Sequence, residues 1–351
     1  MMDVPQVKGA LPLLGHAIDL LRTPFSFFLE ARSVGDVVEI RLGSQKVFVL
    51  NAPHWIRQVL VVDKDRFDEG SVFEKAWAPF GDVEALGRAA TARTDEWLPG
   101  QRLAVDEEMR DIALTAISLP ERGAAHVAEW RRAMPLVLKQ ITRQTFSPFA
   151  WLAGKKMRSV LPEAVVRMLA STEVRASTMS WALHHVGQDP EVEQRLHEEV
   201  DSVLAGREAT VDDVPRLPYV RRILREAMRM HPLALVVRRA RAEVVLGGHR
   251  YPEGTRFFIS PHALHRDPRC FEDPQRFDPD RWRPERAACI KRECYLPCID
   301  MGNVHAMADM AIVLAAIARR WRLVPAGDHT VRETLNGVTQ VDALPMIADA
   351  R

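Results

Sequence analysis

At 351 residues with 47% hydrophobic side chains, the chain is long enough to bury a substantial core, and no uninterrupted apolar run reaches about 18 residues, which excludes a bilayer-spanning helix. Lys and Arg number 48 against 47 Asp and Glu, a net charge of +1, so no overall basic excess points to nucleic acid or an anionic membrane as a partner. The opening Met1-Met-Asp-Val-Pro5 lacks a charged-then-apolar signal pattern, and a soluble cytoplasmic protein is expected.

Gly9-Ala-Leu-Pro-Leu-Leu-Gly15 is an entry segment of turn residues, and a helix is expected over 20–31. The stretches 37–42 and 46–50 alternate apolar and polar residues around Gly43-Ser-Gln45, a hairpin pattern. Helical periodicity resumes at His54 and runs to about Leu246, with breaks at Pro99-Gly100, 120–123, Ser147-Pro148 and 211–218. Asp189-Pro-Glu-Val-Glu193 opens a helix predicted to reach Leu204: Asp189 is the N-cap, Pro190 takes the first position, and the acidic first turn complements the helix dipole. From Tyr251 to Pro284 the density of Pro, Asp and Arg predicts a long ordered loop, held by Phe257, Phe258, Phe271, Phe277 and Trp282. An apolar helix follows over 310–321. The fold class expected is mainly α with a small N-terminal β-sheet, in a single domain spanning 1–351. The four cysteines, Cys270, Cys289, Cys294 and Cys298, lack paired spacing, so free thiols are expected in preference to a zinc site.

Four segments carry a resemblance: Glu226-Ala-Met-Arg229, Pro261-His-Ala-Leu-His-Arg-Asp-Pro268, Asp273-Pro-Gln-Arg-Phe-Asp-Pro-Asp-Arg-Trp282, and the run from Tyr295-Leu-Pro297 through Cys298, Gly302 and His305. In order and spacing they resemble the C-terminal third of a cytochrome P450, a heme-thiolate monooxygenase, and residues 9–80 resemble the entry region of bacterial terpene-modifying relatives. The resemblance implies a P450-like fold, shortened in the cavity roof because the stretch from Trp97 to Ala170 is roughly half the length expected. It also implies a buried structural triad of Glu226, Arg229 and Arg276. Counted from Tyr-Leu-Pro, the family's cysteine position holds His305. On the central helix Glu173 keeps the family's acid, but Val174 replaces a threonine hydroxyl, and an alkyl group relays no proton. Trp97-Leu-Pro-Gly-Gln-Arg102 weakens a propionate-binding helix and puts Gln101 where an arginine is expected, with Arg102 a partial substitute. These departures together lead to the expectation that heme is absent.

Glu107, Glu108 and Asp111 form an acidic pattern, with Glu107 and Asp111 on one helical face, that resembles the metal motif of class I terpene synthases and can hold magnesium. Acids in a first helical turn are also common as solvated partners of the dipole, and no second metal motif accompanies these. With Glu173 and Arg175 as catalytic groups and Arg238 or Arg239 as an anion clamp, the expected function is a heme-free terpene cyclase, a lyase acting on an isoprenoid diphosphate with magnesium. Two alternatives stay open. One is a noncatalytic activator of a partner enzyme such as a glycosyltransferase; the other is a heme-dependent terpene oxygenase with His305 as iron ligand and Cys298 as a second candidate donor.

Overall fold

A computed structural model describes residues 4–68, 83–117, 123–147, 163–233, 235–296 and 304–351. The chain is mainly α. Its helices are α1 (Ala17–Arg22), α2 (Pro24–Val34), α3 (Pro53–Arg57), α4 (Val83–Asp95), α5 (Val105–Ile117), α6 (Gly123–Phe146), α7 (Glu163–Gln188), α8 (Pro190–Leu204), α9 (Pro218–Met230), α10 (Pro261–His265), α11 (Pro284–Ala287) and α12 (Val304–Arg320). The strands are β1 (Val37–Leu42), β2 (Gln45–Leu50), β3 (Gln101–Ala104), β4 (Val236–Arg239), β5 (Val244–Leu246), β6 (His249–Tyr251), β7 (Arg256–Ile259), β8 (Trp321–Pro325), β9 (Glu333–Asn336), β10 (Val338–Val341) and β11 (Pro345–Ala350). No helix among the described residues is long and apolar enough to cross a membrane.

The helix expected over 20–31 is two helices, because Pro24 cannot continue α1 and instead starts α2. The hairpin forms with Leu42 opposite Gln45 and Gly43 in the left-handed region at φ 61°, where an L side chain is strained. It extends into a four-stranded sheet of order β1-β2-β7-β4, with β2 and β7 parallel. The stretch predicted as a long loop therefore contains β7, whose Phe257 and Phe258 point into different core clusters on opposite faces. A second sheet, β3-β11-β8, and the hairpins β5-β6 and β9-β10 add β structure that helical periodicity did not signal.

Helix α8 spans the predicted residues. Asp189 accepts hydrogen bonds from the Glu191 and Val192 amides at 3.0 and 3.2 Å, and Ala205 ends the helix in the left-handed region. Replacing Asp189 with alanine should lower stability by about 1 kcal/mol, read as a shifted urea midpoint with unchanged slope.

The largest core cluster joins α4, α5, α7, α8, α9 and α12 with β8, β10 and β11. Small residues let α12 approach its neighbours closely. Gly87 of α4 meets α12 so tightly that a Cβ there would lie 2.6 Å from Ile312 Cγ2. Contrary to the expectation of free thiols, Cys270 and Cys294 are joined as a disulfide, with Cα atoms 5.4 Å apart, and Cys289 is a free exposed thiol.

Candidate functional site

Glu226 and Arg229 sit one turn apart on α9, which turns both inward, and neither is exposed to solvent. The Arg229 fork donates Nε and Nη2 to the two Glu226 oxygens at 2.9 Å each, and its remaining hydrogens go to the carbonyls of His265, Pro274 and Arg276 at 2.9, 2.8 and 3.1 Å. Glu226 also accepts from the Asp278 amide, from Arg281 Nε at 3.2 Å and from Trp282 Nε1 at 2.9 Å. The second arginine of this cluster is thus Arg281. Arg276, expected in that place, contributes only its carbonyl, and its side chain is exposed. The segment carries two arginines five residues apart. Only the later one lies on the short turn, Pro279–Trp282, that packs against α9.

This cluster holds the approach to α12. His265 of α10 donates Nδ1–H to the Arg229 carbonyl, and its Nε2 accepts from the Leu296 amide, each at 2.9 Å. The segment leading into residues 297–303 is therefore pinned beneath α9. Residues 297–303, including Cys298, and the side chain of His305 lie outside the described structure.

Helix α7 packs against α5, α9 and α12. Glu173 is buried and held by Arg110 of α5, whose Nε is 3.3 Å away, and by Gln340 of β10. Burial opposes the charge on Arg110, but Glu173 outweighs it and raises the guanidinium pKa. Arg175 reaches across to Asp309 of α12 at 3.3 Å and contacts Ser171, and its burial lowers its pKa. Both proposed catalytic groups are thus engaged in ion pairs that tie α7 to its neighbours. Val174 between them is buried and apolar. Further along α7, Ser177 and Trp181 both donate to the Thr339 carbonyl, which fixes the β9-β10 hairpin to α7.

The acids of α5 do not converge. Glu107 is exposed, Glu108 is tied to Arg93 and to Trp97 Nε1, and Asp111 is tied to Arg131 of α6. Among the described residues no group of three His, Cys, Asp or Glu side chains can hold a metal ion. Arg238 and Arg239 stand on β4, whose core neighbours belong to a different cluster from those of α5. Arg238 bonds the Val237 carbonyl, and Arg239 is exposed opposite Arg256. The magnesium-diphosphate arrangement is not assembled by these side chains. Nor do 97–102 form a clamp helix: Gly100 turns the chain into β3, and Arg102 is exposed and paired with Asp328.

The cytochrome P450 family model matches residues 156–342. The chain is similar to Cyclooctat-9-en-7-ol 5-monooxygenase of Streptomyces melanosporofaciens, at 29% identity over 98% of this chain and 94% of the relative. It is similar to Cyclooctatin synthase of the same organism at 30% identity, covering 98% and 95%. Pentalenene oxygenase of Streptomyces avermitilis is 29% identical over 92% of each chain. The first alignment spans 436 positions against a chain of 351 residues, so that relative carries stretches this chain lacks.

These findings overturn the reading as a heme-free, magnesium-dependent terpene cyclase or lyase, because family and relatives alike point to heme-dependent oxygenation. The donor chemistry suits a heme: a thiol, Cys298, and an imidazole, His305, occur in the sequence at the entry to α12, and either type ligates heme iron. On the α7 side, the Arg175–Asp309 ion pair joins α7 to α12. With a family match over more than half its length and an α9 cluster binding the approach to α12, the chain belongs to the cytochrome P450 family.

Proposed function

We propose that this protein is a heme-dependent oxygenase that acts on a terpenoid hydrocarbon or alcohol. What carries the reading is the near full-length similarity to one relative named a monooxygenase of cyclooctat-9-en-7-ol and another named a pentalenene oxygenase. When bound, a heme supplies the dioxygen activation that amino-acid side chains do not.

In this reading Cys298 would hold the heme iron in preference to His305. A cysteine thiolate is the iron donor of cytochromes P450, whereas a histidine donor belongs to globins and peroxidases. Through His265 the α9 cluster holds Leu296, the residue that precedes the donor segment in the chain. On α7 Val174 offers no hydroxyl to hold a proton, so proton delivery would rely on water or on other hydroxyls of that helix. Glu173, held by Arg110 and Gln340, acts as a positioning residue that fixes α5 against α7.

Reconstitution with hemin tests the proposal. The expected product shows a Soret band for one heme per chain, with the thiolate signature in its ferrous carbon monoxide adduct. Cys298→Ala should lose that signature, and His305→Ala should keep it. With a reductase, dioxygen and cyclic terpene hydrocarbons or alcohols, gas chromatography with mass detection should find products heavier by one oxygen atom. No heme uptake would refute the oxygenase reading; loss of the heme only in His305→Ala would move the donor to His305.

A further inference from the structure

The disulfide between Cys270 and Cys294 has a place in the fold that gives it more than a stapling role. Cys270 closes the turn after α10, with its amide on the Asp267 carbonyl, and precedes Phe271, over whose ring the Arg229 guanidinium lies at 5.2 Å. Cys294 is buried and directly precedes Tyr295 and Leu296, the residues that contact His265. The two cysteines are 24 positions apart, and the loop they close carries Arg281 and Trp282, two of the groups that hold Glu226. Within that loop, 283–286, 288, 289, 291 and 292 are exposed, and only partial burial at Ala287 and Ile290 interrupts them.

We propose that Cys270–Cys294 is a redox-operated latch that sets how firmly the segment entering residues 297–303 is held. Oxidised, the bond ties this segment to the α10 turn from a second side, in addition to the hydrogen bond from Leu296 to His265. Reduction breaks the Sγ–Sγ bond and adds two electrons and two protons, giving two thiols. The electrons come from a dithiol reductant, which is itself oxidised to a disulfide. The α9 cluster stays in place, since all its bonds are made by other residues. Only the exposed loop and its return to Leu296 loosen.

The test uses the purified protein without substrate, so its outcome does not depend on oxygenase activity. Peptide mapping under non-reducing conditions should find Cys270 linked to Cys294 and not to Cys289 or Cys298. Dithiothreitol should then increase trypsin cleavage at Arg286, Lys291 and Arg292 several-fold and lower the melting temperature by several degrees. The double variant Cys270→Ser/Cys294→Ser should show the reduced behaviour with or without reductant, while Cys289→Ser should respond as the parent does. Free thiols at both positions after incubation with oxidised glutathione, a different pairing, or equal cleavage in the two redox states would overturn the latch.

Discussion

Arg229→Ala should leave the protein largely unfolded or sharply less stable, by about 3–5 kcal/mol, because it removes one partner of a buried ion pair. The loss reaches beyond the pair. Arg229 fills every donor site on its fork, so its removal strands three carbonyls from the loop 265–276 together with part of Glu226. Arg229→Lys should recover little, since an ammonium cannot reproduce the planar fork. Glu226→Gln should be comparably damaging, because Arg229 and Arg281 would then face each other across a neutral amide. Denaturant midpoints and far-ultraviolet circular dichroism measure all three variants. A parental midpoint in Arg229→Ala would show that the cluster does not carry the fold.

Stability should also fall steeply on acidification, because buried histidines are held neutral. Burial lowers His231 to about 4, against the opposing pull of Glu333, and burial lowers His197 to about 4 from the ordinary value of 6.5. His185 and His265 are pushed well down, first by burial and then by neighbouring positive charge, and His184 and His262 are lowered as well. The unfolded chain binds protons at these groups near pH 6.5 while the folded chain refuses them. Their contribution to stability is therefore complete above about pH 6.5 and is lost as the pH falls toward 4. Glu333 acts in the same direction. Burial would raise its pKa, but His231, His262 and Arg266 outweigh it and hold the carboxylate well below 4.5, so its contribution fades as the pH falls through and below that value. Each proton bound only by the unfolded chain adds about 1.4 kcal/mol per pH unit to the slope. Melting temperatures measured from pH 8 down to pH 4.5 should fall progressively below 6.5. A flat profile would mean that these side chains are solvated.

The helices whose signals lie within a few residues were legible in the sequence. Asp189 and Pro190 set the start of α8, and the alternation around Gly43 set the hairpin, because each depends on local backbone geometry. Glu226 and Arg229 were legible for the same reason, one turn apart on a helix. The four P450-like segments were legible too, although Val174, Gln101 and the count to His305 led from them to a heme-free cyclase. That inference treated missing groups as missing chemistry, and it gave little weight to a second donor, Cys298, in the same segment.

What the sequence by itself determined was a mainly α chain with an N-terminal hairpin and the paired Glu226 and Arg229. Tertiary structure alone decided which distant groups meet. It brought Arg281 rather than Arg276 to Glu226, and it drew Glu108 to Arg93 and Asp111 to Arg131, which leaves no shared metal site among them. It also paired β3 with β11 across more than two hundred residues and joined Cys270 to Cys294. Helical and strand periods report which face of an element is apolar; they carry no information on which other element will cover that face, and every one of these contacts is a choice of that second kind.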